Sequence, residues 1–512
     1  VDRLLLQHGT LDPPPERIPL RAGPLTMVFE PGTAFLRYLR HGEREVLRGI
    51  YAAVRDRDWG TVLPEVTFRE RQIGPESFRL VFDAECRSPR QGIDFAWRGV
   101  LEGSRDGTVV FRFDGAARAP FLRNRIGFCI LHAAKECAGR PCRVEKDDGA
   151  IEQGAFPRVI AADQPFLDMR AISHEVEPGL EAEVRFAGDL FEMEDQRNWS
   201  DASFKTYSTP LRLPFPVEVQ AGEAVRQAVT VRVQSVEASL RRVAGAPPVA
   251  AARASRGPEV AWRLGGTALP MPQIGLGLAS HGAPLTARDV RLLKAIAPAH
   301  LRAELDLARP TWPAVLARAA GESAAVGAPL ELALFLSDAA ERELGDLVEE
   351  LAAARPAVAT FLIFHQADNS TGARWFRLAR ERLGGRFPAA RIGAGTNAYF
   401  AELNRAPPPP ELVDLFAYSV NPQVHAFDDA TLVENLEGQA WTVESARAFA
   451  GGKEIAVSPV TLKPRFNPDA TGPAPEVAPG ELPPEVDPRQ MSLLGAGWTL
   501  GSIARLAAAG AA

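Results

Sequence analysis

The chain has 512 residues, 46% hydrophobic and 24% charged, which is the make-up of a soluble globular protein too long for one ordinary domain. A net charge of -6 leaves no basic footprint for nucleic acid, and no apolar run is long enough to span a bilayer or to act as a secretory segment. Four cysteines in so long a chain make no disulfide framework, and a reducing cytoplasm suits them.

Residues 1–235 predict an all-β domain. Short alternating runs recur at 25–29, 34–38, 46–54, 66–70, 77–86, 93–101, 108–116, 181–186, 211–215 and 228–233. Turn pairs such as Asp106-Gly107 and Pro178-Gly179 separate them, as in a large β-sandwich. A stretch rich in Ala, Arg and Pro follows, so 236–258 reads as a linker and 259–512 as a second domain.

In that second domain the pattern changes to strand-then-helix. Strands are predicted at 273–279, 300–307, 330–336, 359–364, 390–394, 414–420 and 454–459, with helices at 287–296, 312–325, 338–353, 372–383, 431–449 and 490–508. The fifth connection is broken by the prolines at 407–410. Units of roughly thirty residues are those of a βα repeat, and the fold class expected is a TIM-type (β/α)8 barrel. Only seven strands can be counted, so the expectation is a barrel truncated before strand eight, with an open seven-stranded α/β sheet as the rival.

Catalytic groups of such barrels sit where strands run into the following loops. The second strand places His300, Arg302, Glu304 and Asp306 on one face and apolar residues on the other, so the charged face should point into the barrel. An ion pair that merely fills the barrel is the plainer reading of that face. Other strand ends supply Ser280 and His281, His365, Gln366 and Asp368, Thr396 and Asn397 with Glu402 beyond, Asn421 and His425, and Thr461 and Lys463 with Arg465 and Asn467 behind. Three histidines at separate strand ends could share acid–base work or hold a divalent metal, although no His-x-His pair supports the metal. Carboxylates that a retaining glycosidase would place at strands four and seven are replaced by His365 and Lys463, and no Gly-x-Ser-x-Gly elbow occurs. The Pro- and Gly-rich stretch 463–489 has the position of a lid or of a plain surface excursion.

Within the β-domain, residues 191–207 mix charge, amide and aromatic groups. Asp195, Arg197, Trp199 and Lys205 there could grip a polyol, or the stretch could be a salt-bridged junction between the domains. Cys129, His132, Cys137 and Cys142 number four but lack the Cys-x-x-Cys spacing of a zinc site.

Taken together, these features resemble the D-apionate lactonase family of bacterial apiose catabolism. The resemblance is carried by Arg-Ile-Gly-Phe-Cys-Ile-Leu-His at 125–132, the 192–207 block, Pro-Gln-Ile-Gly-Leu-Gly at 272–277, Val-Asn-Pro-Gln-Val-His at 420–425 and Ser-Pro-Val-Thr-Leu-Lys-Pro-Arg at 458–465. It implies an N-terminal β-domain, a TIM barrel and a further small C-terminal domain. It also implies hydrolysis of a five-membered sugar-acid lactone to the open-chain acid, with a small-molecule partner. Such chemistry asks for a base, oxyanion donors and an acid for the leaving alkoxide. Glu304 or a histidine is the candidate base, and His365 or His425 the acid. Arg302, Lys463, Asn397 and Asn421 are candidate donors, with His281 a further candidate contact to substrate. No cofactor is required, though a divalent metal remains compatible. The residues also leave open an atypical TIM-barrel glycoside hydrolase, with Glu304 and Glu402 opposed, and a non-catalytic carbohydrate-binding protein.

Overall fold

A computed structural model describes residues 2–235, 268, 270–466 and 481–512. The predicted linker 236–258, the first residues of the following domain, and Asn467 with the middle of the 463–489 stretch lie outside the described residues.

Seventeen strands between Ile18 and Ser235 are hydrogen-bonded into one connected antiparallel sheet. Alternation drives this. In the strand Phe78–Ser88, the residues Phe78, Leu80, Phe82, Ala84 and Cys86 are buried while their neighbours face outward. The buried sides meet in an aromatic core, where Phe82 packs edge-on to Trp97 at 5.3 Å between centroids and Phe111 lies 4.9 Å from Phe128. The predicted strand at 211–215 is a turn instead, and pairing resumes at Val217–Val219. Pro210, Pro214 and Pro216 deprive that segment of the N–H groups a ladder needs. Sequence patterning missed Phe121–Ala133 and Phe166–Glu177, both central, because their long apolar and polar runs do not alternate cleanly.

The second part carries seven parallel strands in sequence order: Leu276–Gly277, Leu301–Asp306, Leu330–Leu336, Val358–His365, Arg391–Gly395, Leu415–Val420 and Glu454–Val460. Among the described residues no ladder joins the first strand to the seventh, so the barrel is nearly closed. A cavity of about 320 Å³ lined by Gly275, His300, Glu331, Ser458, Trp498 and Leu506 lies along that seam. Two side-chain layers follow from strand parity. Leu301, Ala303, Leu305, Phe361, Ile363 and Phe416 pack outward on the helices, whereas Ala333, Leu362, Phe364, Leu415 and Ala417 fill the interior. The predicted helix 431–449 is two helices, Asp429–Glu434 and Leu436–Ala446. They break at Asn435, whose amide bonds to Asp201 and Ala202 of the β-domain instead of leaving the helix unperturbed. Asp428 caps the first of them on the Thr431 N–H at 3.0 Å.

The two parts are pinned together beside the C-terminal ends of strands five and six. Arg37, 2% exposed, donates to Glu30 at 2.7 Å on its own side and to Asp428 at 2.7 Å across the junction. Asn404 donates to Asn198 Oδ1 at 3.0 Å, and the Ser200 hydroxyl donates to the Asn421 carbonyl at 3.1 Å. Contact is so close that a Cβ on Gly438 would fall 2.0 Å from the Ser200 carbonyl oxygen, so only glycine fits.

Candidate active site

Inside the barrel mouth, Arg302 is the hub. Its guanidinium donates to Glu331 at 3.2 Å, Ser458 at 3.3 Å, Glu304 at 2.9 Å and Asn397 at 3.0 Å, joining strands two, three and seven to the loop after strand five. Arg465 converges on the same two acceptors, donating to Asn397 Oδ1 at 2.7 Å and ion-pairing with Glu304. Burial would raise the Glu304 carboxyl, but Arg302 and Arg465 outweigh it and hold the group below the usual range. Glu304 is therefore ionised yet weakly basic, a poor match for proton abstraction near neutrality. A small recess beside it is lined by Asn397, Tyr399, Ser419, Asn421, Thr461 and Arg465.

A second constellation forms at the domain junction, where the loop after strand six meets the β-domain. His425 Nδ1 lies 2.7 Å from Asp201 Oδ2, and its ring stands edge-on to Trp199 at 5.5 Å. The opposite nitrogen, Nε2, is 3.8 Å from Glu194 Oε1, which is ion-paired with Lys205. Burial, followed by the nearby Lys205 ammonium, lowers the His425 pKa, partly countered by Asp201. The imidazole is thus neutral at pH 7, with Nδ1–H donated to a carboxylate and Nε2 left as the basic nitrogen.

The remaining predicted residues fall in three groups. His365 ends its strand on the outward parity shared by Phe361 and Ile363; its ring stacks on Trp375 with centroids 4.1 Å apart, away from the barrel interior. The expectation that all three strand-end histidines converge is corrected by that parity. His281 is exposed and accepts from the Ala283 N–H at 3.0 Å. Lys463 donates to the Val486 carbonyl at 3.3 Å, tying down the returning end of its loop. That end is held also by Asp487, which accepts from Gln423 at 2.7 Å. Burial would raise Asp487, but bonds from Arg489 and Gln423 bring it down to about 2.

Asp195 and Arg197 are corrected as substrate contacts. Both side chains are 0% exposed, paired with each other at 2.7 Å, and Arg197 also donates to the Pro157 and Arg158 carbonyls. A group sealed in this way cannot touch a small molecule, and the pair builds the junction instead. Glu402 accepts from the Tyr399 N–H at 2.8 Å at the start of the helix Phe400–Arg405. Cys129 and His132 point to opposite faces of one strand, with His132 bonded to Thr206 at 3.0 Å, so the four-residue set does not converge. Among the described residues no group of three or more His, Cys, Asp or Glu side chains is placed to hold a metal ion.

Sequence reasoning passed over Glu331, Glu194 and Asp201. Glu331 had a signal, since it is the lone charge in the otherwise apolar strand Leu330–Leu336. Glu194 and Asp201 had none beyond the density of charge around them, because their roles depend on strand register and on a contact 224 residues away.

A large antiparallel domain packed beside the C-terminal strand ends of a parallel barrel, with polar side chains gathered there, is the plan of a TIM-barrel enzyme. The chain belongs to the D-apionate lactonase family. Residues 5–236 match the D-apionate lactonase N-terminal domain and residues 274–512 the D-apionate lactonase TIM barrel domain. The D-apionate lactonase of Brucella anthropi is 34% identical over 488 residues, which span 91% of this chain and 76% of that one. Among solved structures, a GalM/aldose epimerase homologue from C. elegans aligns at a TM-score of 0.29 and 11% identity, over 43% of this chain and 99% of that one. A β-arabinopyranosidase aligns at 0.29 and 9%, over 85% and 75%. At those scores neither likeness carries an argument.

Proposed function

We propose that this chain hydrolyses a D-apionolactone-like sugar-acid lactone to its open-chain aldonate in carbohydrate catabolism, with His425 as base and Asp201 as the residue that orients it. Family membership makes it a lactonase, a carboxylic-ester hydrolase acting on a small sugar-derived molecule. The observation that carries the assignment of the base is the 2.7 Å contact between His425 Nδ1 and Asp201 at the junction. A carboxylate on Nδ1 fixes the tautomer and leaves Nε2 to take a proton from water. The hydroxide equivalent adds to the lactone carbonyl, and the ring C–O bond breaks as the tetrahedral intermediate collapses. The imidazolium then returns its proton to the departing alkoxide, so one water is consumed and no charge is left on the enzyme. The Lys205 ammonium beside Glu194, whose charge is felt at His425, is a fixed positive charge for the oxyanion.

In this reading the Arg302, Glu304 and Arg465 cluster shapes the barrel mouth, and Asn397 and Asn421 line the recess next to it. An oriented imidazole can activate water unaided, so no cofactor is required. The reading also takes residues 1–235 as a sandwich domain, 236–258 as linker and 259–512 as a barrel working in the cytoplasm. No helix among the described residues is long and apolar enough to cross a membrane.

The test is acid release from apionolactone before and after chelation. Turnover that survives chelation supports a side-chain base. Loss on chelation, restored by a divalent ion, would reassign the histidines as ligands, and no turnover on this or related lactones would sink the function.

A further inference from the structure

One face of the β-domain sheet is apolar core; the other carries buried charge. The strands Arg44–Asp56, Phe121–Ala133, Ser203–Tyr207 and Phe191–Asp195 lie side by side, and their register aligns Tyr51, Cys129, Tyr207 and Glu192 in one row. Two residues along, Gly49, Leu131, Lys205 and Glu194 form the next row. Phe128 and Ile130, on the alternate parity, belong to the core. Arg55 extends the polar face on the first of these strands, four residues beyond Tyr51.

This face is not a closed set of ion pairs. Arg55 is 7% exposed; its Nη1 donates to the Trp59 carbonyl at 3.1 Å, but its Nη2 is buried without a hydrogen-bond partner. Glu194 Oε1 is held by the Lys205 ammonium, and it is the atom 3.8 Å from His425 Nε2. By contrast Glu192 is fully used, accepting from the Tyr207 hydroxyl at 2.5 Å and the Leu211 N–H at 2.6 Å. A strut between domains would complete its charged groups, as the Asp195–Arg197 pair does. A buried guanidinium N–H left without an acceptor is one that a ligand oxygen completes.

We propose that Arg55 and Glu194 form the polyol-binding wall of the active site, Arg55 Nη2 donating to one oxygen of a polyhydroxylated acid or lactone and Glu194 accepting from its hydroxyls. The proposal rests on the junction reading above for its placement beside His425, and goes beyond it in assigning the substrate's hydroxylated part to the β-domain.

The test is calorimetric titration of D-apionate into the wild-type chain, Arg55→Met and the near-isosteric Glu194→Gln, with KM on apionolactone and thermal midpoints measured alongside. Affinity is expected to fall about tenfold to a hundredfold in each variant, the loss of one charge-assisted hydrogen bond, with KM rising in parallel; the Glu194→Gln midpoint should fall as well, because the buried Lys205 ammonium loses its partner, so affinity and KM decide. Unchanged affinity and KM, with lowered midpoints, would overturn the proposal and make the pair a strut. Wild-type protein that binds D-apionate through these residues but hydrolyses no lactone would sink the hydrolytic reading and keep this one. Wild-type turnover with affinity and KM indifferent to both substitutions would do the reverse, and a wild-type chain that binds nothing would overturn this one too.

Discussion

His425 and Asp201 are 224 residues apart in the chain and 2.7 Å apart in the structure, and each comes from a different domain. The base is therefore competent only when the domains are docked. Replacing Asp201 by Asn keeps the shape but removes the charge that steadies the imidazolium. Turnover should fall about a hundredfold, and His425→Ala should cost at least as much. Because the His425 pKa lies below 6.5, kcat/KM should be flat above that pH and fall on the acid side as the imidazole protonates. Asp201 is one of the groups that raises this pKa, so the limb of Asp201→Asn should move to still lower pH. A pH–rate profile checks both, and a limb that stays in place in Asp201→Asn would remove Asp201 from the site.

Glu304 is already neutralised by Arg302 and Arg465, so Glu304→Gln should lose less turnover than His425→Ala, by at least tenfold. Steady-state kinetics on the two variants compare them directly. The opposite ranking would return the base to the barrel mouth.

Gly438 tests the docking without touching a charged group. A Cβ there would meet the Ser200 carbonyl at 2.0 Å, next to the residue that orients the base. Gly438→Ala should push the 200–201 segment away, cost about 1–3 kcal/mol of stability and reduce kcat more than tenfold. Thermal unfolding and kinetics measured together would show it; a fall in stability with full activity would mean that the segment relocates without disturbing the dyad.

How much of this could be read from sequence depends on whether a residue's role is local. The barrel strands were legible because each is a short apolar run before a helix, and Leu330–Leu336 has the predicted bounds. The inward face of His300, Arg302, Glu304 and Asp306 followed from alternation alone. His365 was misread because proximity to a strand end was weighed above parity, which sends it to the helices with Ile363. In the 191–207 block, Asp195 and Arg197 drew attention as charges, yet they seal a turn, while Glu194 and Lys205 face the junction through a register that no local pattern reveals. Asn435 breaking its helix is likewise a tertiary event, since its partners are Asp201 and Ala202.

The Arg302–Glu331 pair gives a prediction about stability. Both side chains are 5% exposed, so removing one partner strands a buried charge. Glu331→Leu should destabilise the chain by about 3 kcal/mol, whereas the double change Arg302→Met with Glu331→Leu should cost less than the sum of the two single changes. Urea midpoints of the three variants form the cycle. Additive losses would show that the two groups are stabilised independently.

His132 and His174 set the response of the β-domain to acid. Both are buried in the core around Phe156, and burial lowers His132 to about 3 and His174 to about 4. In the unfolded chain both titrate near 6.5, so below that pH the unfolded state binds more protons and stability falls with acid. Each histidine should cost about 1.4 kcal/mol per pH unit, from 6.5 down toward its folded value, with nothing lost above pH 7. Urea midpoints at pH 7, 6 and 5 should therefore decline for the wild-type chain and decline less steeply for His174→Phe, which cannot take up a proton. Parallel declines would place the acid sensitivity in groups other than His174.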